Sequence, residues 1–184
     1  TKIITPGDLP RKDPDCVFCG ECVQACPVGA LVEKDVRYSV RPWEIRKVRT
    51  TCSYCGVGCQ LALHVKDNRV VKISGVEAAP NHGSLCVKGR FGMDYVHHPN
   101  RLTTPLIRRD DAPKTATPDF DASDWRKLFR EATWEEALDR AAAGLKSIRQ
   151  DMGDKALAGF GSAKGSNEEA YLVQKLVRTG FGSN

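Results

Sequence analysis

Eight cysteines are the residues best placed to do chemistry in this chain, and they fall into two groups of four. Cys16, Cys19, Cys22 and Cys26, with Pro27 behind them, read C-x2-C-x2-C-x3-C-P inside DCVFCGECVQACPVGAL. Spacing this short lets one tight loop set three thiolates around three corners of a cubane, with backbone N–H groups turned toward the sulfurs. Gly20 and Gly29 suit such crowding. Cys52, Cys55, Cys59 and Cys86 read C-x2-C-x3-C-x26-C. The first three lie on the loop TTCSYCGVGCQ, where Gly56 and Gly58 let the backbone approach closely, and the fourth closes the cage from a distance. A zinc site more often shows two separated pairs, and a disulfide framework belongs to small secreted domains. Both groups therefore read as 4Fe-4S ligands in a reducing compartment, and the chemistry they imply is electron transfer.

The first group is a bacterial ferredoxin-type run, and in two-cluster ferredoxins the last cysteine of such a run serves the other cluster. Cys16, Cys19 and Cys22 would then need a distant fourth ligand, and Cys26 three distant companions. No second run of that type is present. Either the missing ligands precede Thr1 or all four cysteines bind one cluster. The absent Met at Thr1 and the stop at Asn184, just after a helix-like segment, favour a piece of a longer polypeptide.

Around these cysteines the sequence predicts an α+β multidomain fragment. A Pro-rich, charged opening (Pro6, Pro10, Pro14) leads into the first group, and a polar connector over residues 33–49 follows it. Leu61, Leu63 and Val65 alternate, Asp67-Asn68 reads as a turn, and a second apolar run covers 70–73. This pattern is a β-hairpin inserted between Cys59 and Cys86. A loop over 75–83 returns the chain to Cys86. A polar loop over 108–124, with Pro113 and Pro118, marks a domain boundary. Trp134, Ala137, Leu138, Ala141, Leu145 and Ile148 then recur at helical spacing behind a Thr133/Glu136 capping box, most simply as core packing. Residues 156–160 read as a short strand, 161–165 as a small-residue loop, and 167–179 as a helix capped by Ser166 and Glu169 and stopped at Gly180. Helix, strand, loop and helix open an α/β domain. The expected divisions are 1–36 for a ferredoxin-like 4Fe-4S segment, 37–47 for a linker, 48–107 for a small β-rich 4Fe-4S domain, and 108–184 for the start of an α/β pterin-binding domain.

Composition excludes little but narrows the partners. With 41% hydrophobic and 28% charged residues the chain is neither disordered nor membrane-spanning, for no run approaches the roughly 18 to 20 apolar residues a bilayer requires. No signal peptide opens it. The formal charge of +5 suits anionic clusters and phosphate-bearing cofactors, while the spread of Lys and Arg without a basic block argues against nucleic acid.

Four segments in order, TTCSYCGVGCQ, GSLCVKGRFG, HPNRLTTPLIR and TWEEAL, resemble the N-terminal part of the molybdopterin oxidoreductase superfamily. The nearest likeness is to the catalytic α subunit of molybdenum- or tungsten-dependent, NAD-linked formate dehydrogenases, in which a ferredoxin-type segment precedes this motif. The resemblance implies that Cys52, Cys55, Cys59 and Cys86 hold the cluster nearest a pterin. It also implies that Lys88 lies between that cluster and the pterin of a Mo- or W-bis-molybdopterin guanine dinucleotide and aids electron passage. Alone, Lys88 would read as a solvated surface residue. The family's metal-ligating cysteine or selenocysteine and its catalytic histidine and arginine have no counterpart here, so the chain alone is not expected to turn over formate. The implied partners are the rest of the catalytic subunit, flavin/NAD-binding and iron–sulfur subunits, and formate/CO2, in the cytoplasm. The alternatives are a non-catalytic iron–sulfur electron-transfer subunit, a related enzyme such as nitrate reductase, and, from a different class, a zinc-dependent nucleic-acid module.

Weaker signals read blandly. Gly159, Gly161 and Gly165 are spaced G-x-G-x3-G with no acidic residue at the distance a dinucleotide fold requires, leaving phosphate capture near Ser166 or plain packing. His97 and His98 read as surface, His64 as lying opposite the apolar face of the hairpin, and His82 as a loop residue beside Cys86.

Overall fold

The computed structural model describes residues 16–34, 36–37, 39–112 and 122–184. The Pro-rich opening and the prolines of the expected 108–124 loop lie outside them. The chain divides into two compact units, one built from residues up to His97 with Ser162–Ala170, the other from His98–Gly161 and Tyr171–Asn184.

In the first unit, a short helix α1 (Glu21–Ala25) carries Cys22 and is entered through Gly20 at φ 79°. A three-stranded antiparallel sheet follows, ordered β1 (Arg46–Thr51), β2 (Gln60–Lys66), β3 (Arg69–Gly75). The predicted hairpin is β2–β3. Asp67 and Asn68 both take positive φ, 49° and 59°, which matches the twist of a two-residue hairpin turn. β1 was not expected, because RKVRTT reads as polar connector. It forms because Val48, Thr50 and Thr51 tolerate a pleated edge and pair with β2 from Arg46↔Val65 to Thr51↔Gln60. Its basic side chains also suit an edge strand exposed to water.

The core of this unit is Cys52, Leu61, Ile73 and Leu85, with Tyr54, Cys59, Leu63, Val70 and Met93 packed around it. Leu61 is fully buried, which alone stabilises the fold by about 1.5–3 kcal/mol. The second face of β2 is also covered, with Ala62 and His64 buried. His64 lies on the strand face opposite Leu61 and Leu63 and is not left to solvent: its Nε2 lies 2.8 Å from Ser74 Oγ across the hairpin. His97 is likewise not simply surface, since its Nε2 accepts the Val70 N–H at 2.9 Å. His98 is exposed, as expected, and its Nδ1 accepts the Asn100 N–H.

In the second unit, β4 (Leu106–Arg108) pairs antiparallel with β5 (Phe129–Glu131). Helix α3 (Trp134–Met152) starts where expected, with Thr133 Oγ1 accepting the Glu136 N–H at 3.2 Å. Glu136 does not complete a reciprocal box, because its carboxylate pairs with Arg130 instead. The apolar stripe of α3 is not core among the described residues: Trp134 and Leu138 are 69% and 62% exposed. The strand expected at 156–160 does not form. Asp154–Ala156 make a 3-10 turn and Leu157 takes extended angles, but no described strand lies alongside to supply a ladder. Gly159 instead packs on Val177, where a Cβ would meet Cγ2 at 2.1 Å, so this glycine serves packing.

Helix α4 (Asn167–Lys175) has the expected full box, Glu169 N–H to Ser166 Oγ at 3.2 Å and Ser166 N–H to Glu169 Oε2 at 2.6 Å. With a carboxylate already on this helix start, the geometry favours capping over capture of a phosphate. The chain passes from α4 into a π-helical turn, Leu176–Phe181, and stops at Gly182 with φ 74°, two residues beyond the expected Gly180. Small sheets and helices thus make the mixed α and β architecture that was expected. Among the described residues no helix is long and apolar enough to cross a membrane.

Candidate iron–sulfur centres

The loop carrying Cys52, Cys55 and Cys59 is pinched shut by the sheet. The Cys52 N–H donates to the Cys59 carbonyl at 2.8 Å, directly beyond the Thr51↔Gln60 pair that ends the β1–β2 ladder. Gly58 turns the loop at φ 70°, and the Asn167 amide donates to the Gly56 carbonyl at 2.8 Å. Cys52 is buried in the core, Cys55 and Cys59 are half-buried, and Cys86 is exposed at the start of helix α2 (Val87–Phe91).

Two features bring Cys86 back to this loop. Gly75 ends β3 against the Gly83 carbonyl so closely that a Cβ would stand 1.7 Å from that oxygen. Asn81 then stitches the returning loop to the residue after Cys59: its Oδ1 accepts the Gln60 N–H at 2.7 Å, and its Nδ2 donates to the carbonyls of Gln60 at 3.0 Å and Ser84 at 2.8 Å. Gly89 on α2 faces the Cys52 sulfur, 3.6 Å from where a Cβ would be. Asn81 was missed in the sequence because nothing local distinguishes it from any turn asparagine.

Cys52 and Cys59 feel burial and the neighbouring sulfurs. Burial pushes the Cys52 thiol up, against a Tyr54 N–H that favours the thiolate, and Cys86 and Cys55 push it further. Burial likewise raises Cys59, followed by Cys52, Cys55 and Cys86. Four thiolates this near each other repel, and a cationic iron core is the kind of group that holds such a set deprotonated. Among the described residues no three His, Cys, Asp or Glu side chains close on a point as they would around a single ion. Three cysteines on a loop closed by the Cys52 N–H to Cys59 carbonyl bond, with a fourth on the arm that Asn81 ties back to it, are the donor set a four-iron cluster takes.

In the first group, Cys26 sits in a nest of backbone N–H groups. Those of Leu31, Val28, Ala30 and Gly29 hold its thiol below the usual cysteine range, and Gly29 takes φ 63° there. Such N–H groups are what a cluster sulfur accepts. Cys16 and Cys22 are exposed and Cys19 is half-buried. All eight cysteines stand outside disulfides. Lys88 is exposed on α2, two residues after Cys86. His82 is exposed and lies 3.8 Å from Glu77, in the loop before Cys86.

The two groups are also tied to each other, which the sequence did not suggest. Arg90, on α2, is buried and donates to the Cys19 carbonyl, Gln24 and Glu21. Glu21 is held below the usual carboxylate range by the Leu85 N–H first and, against some burial, by Arg90.

Residues 45–98 match the molybdopterin oxidoreductase Fe4S4 domain, 101–184 the molybdopterin oxidoreductase domain, and 10–32 a 4Fe-4S binding domain. The α subunit of an NADPH-Fe(3+) oxidoreductase from Geobacter sulfurreducens is 36% identical over 92% of the chain and 18% of its own length. A Bacillus subtilis protein, YjgC, named provisionally as an oxidoreductase, is 33% identical over the whole chain and 21% of its own length. A Staphylococcus haemolyticus protein, whose name assigns it provisionally to formate dehydrogenase, is 32% identical over the same shares. The chain thus spans about a fifth of the length of these relatives. The order of parts is the expected one: a ferredoxin-type 4Fe-4S motif, an Fe4S4 domain with small sheets, and the start of a molybdopterin domain.

Proposed function

The chain belongs to the molybdopterin oxidoreductases, and from that premise we propose that it is the electron-transferring N-terminal part of a formate dehydrogenase catalytic subunit. In this reading formate gives up two electrons and a proton to become CO2, and NAD+ takes two electrons and a proton at a flavin-bearing partner subunit. The pterin-held molybdenum or tungsten, when bound, supplies the two-electron chemistry.

The residues of this chain supply the path. Cys52, Cys55, Cys59 and Cys86 hold the cluster nearest the pterin, and Cys16, Cys19, Cys22 and Cys26 serve the ferredoxin-type cluster or clusters. Lys88 stands beside the first of these clusters and stabilises its reduced state as electrons pass from the pterin. In this reading the chain alone is not expected to turn over formate. The observation that carries the reading is that Gly75 and Asn81 return Cys86 to the closed Cys52–Cys59 loop. Such a cage suits an electron carrier better than a reacting centre. The choice of formate is supported by the name of the Staphylococcus haemolyticus relative and by the ferredoxin-type segment ahead of the motif.

A second reading is favoured by the 36% identity to the NADPH-Fe(3+) oxidoreductase α subunit. There the same clusters would carry electrons from NADPH toward ferric iron. The test is formate-dependent reduction of NAD+ by the anaerobically purified intact complex. Turnover with formate supports the first reading. Ferric iron reduction by NADPH without formate turnover replaces it with the second.

A further inference from the structure

Resting on the reading of both cysteine groups as cluster sites, we propose that Arg90 is a positioning residue that fixes the separation of the two clusters and so governs electron passage between them. It holds one cysteine backbone from each group. Its side-chain Nε donates to the Cys19 carbonyl at 2.8 Å, and its own backbone N–H donates to the Cys86 carbonyl at 3.1 Å. One residue thereby links ligands that stand far apart in the chain.

The link is built for rigidity. The Arg90 side chain is 1% exposed, and a guanidinium this buried is tolerable only with its donors matched. Nη1 donates to Gln24 Oε1 at 2.8 Å and Nη2 to Glu21 Oε1 at 2.6 Å, both on α1 beside Cys22. The same two acceptors reach the second group's own scaffold. Glu21 Oε1 accepts the N–H of Leu85, the residue before Cys86, at 2.9 Å, and Gln24 Oε1 accepts the Gly75 N–H at 3.2 Å. Gln24 Nε2 also donates to the Gly83 carbonyl. At Gly20, beside Cys19, a Cβ would lie 2.3 Å from Arg90 Cδ, and φ is +79°. Only glycine lets the first group's backbone come this close to the arginine. The directions of Nε, Nη1 and Nη2 are fixed by one planar group, which a lysine cannot reproduce.

The test uses the intact complex, fully reduced, and compares the parent with Arg90→Met, Arg90→Lys and Glu21→Gln by low-temperature EPR, with iron and acid-labile sulfide measured on each. The parent is expected to show spin–spin splitting between the two reduced clusters. Arg90→Met loses that splitting while each cluster keeps its own signal and its iron. Arg90→Lys restores part of it, because charge returns without the fixed geometry. Parent-like splitting in Arg90→Met overturns the proposal. Should Arg90→Met lose iron through misfolding, Glu21→Gln decides: weakened splitting with full iron supports the proposal, and unchanged splitting overturns it. A parent with no iron at one cysteine group refutes the cluster reading itself, and the proposal falls with it, a result distinct from parent-like splitting in the variant.

Discussion

Asn81→Ala tests how Cys86, the proposed fourth ligand, is held. The side chain makes three hydrogen bonds, to the Gln60 N–H and to the carbonyls of Gln60 and Ser84. Each contributes about 0.5–1.5 kcal/mol net, and partial exposure lets water replace some of that, so the arm bearing Cys86 loses about 2 kcal/mol of closure. At about 1.4 kcal/mol per factor of ten, this shifts the balance between open and closed arms about 30-fold. The consequence is a cluster that surrenders iron faster. The assay is anaerobic challenge of the intact complex with an iron chelator, following the cluster absorbance and assigning each loss by EPR. The second group's cluster should lose iron tens of times faster than in the parent, with the first group's unchanged. Asn81→Asp should fare no better, because a carboxylate oxygen then faces the Gln60 and Ser84 carbonyls. Iron loss within about threefold of the parent in a folded Asn81→Ala variant would refute the reasoning.

Gly75→Ala places a methyl group on the Gly83 backbone, which cannot rotate aside as a side chain can; it is expected to cost about 1–3 kcal/mol, read by thermal unfolding, and to release the second cluster. His64 gives a pH dependence. Burial first, then Lys47 and Lys72, holds its imidazole below the usual histidine range, so the unfolded chain binds the proton more readily than the fold does. Its contribution is present above the unfolded value of about 6.5 and is lost as pH falls from there toward the folded pKa, by up to about 1.4 kcal/mol per pH unit. Urea unfolding across this window should show the slope in the parent and a flatter one in His64→Gln. Ser166→Ala removes the α4 cap and should cost about 1 kcal/mol of stability with both clusters intact, measured by unfolding and iron content.

What the sequence made legible was local. The Asp67-Asn68 turn and the Ser166/Glu169 box each depend on neighbours within a few positions, and each stands in the structure where the residues suggested. The features that join distant parts were not legible. Asn81 meets Gln60 across 21 positions and Arg90 meets Glu21 across 69, and neither pair has a local signature. β1 was read as connector because an edge strand needs no apolar face, only a partner in β2. The converse error was residues 156–160, whose extended, apolar pattern lacks a ladder among the described residues. The α3 stripe was read as core from its period alone, yet periodicity states which face is apolar and not what covers it.

The most direct test of the account is the iron, acid-labile sulfide, zinc, molybdenum and tungsten content of the anaerobically purified intact complex, with a low-temperature EPR spectrum after reduction. The account predicts iron and sulfide together, reduced 4Fe-4S signals that include one lost in Cys86→Ser, and molybdenum or tungsten beside them. Zinc without sulfide, or a spectrum unchanged by Cys86→Ser, would contradict it.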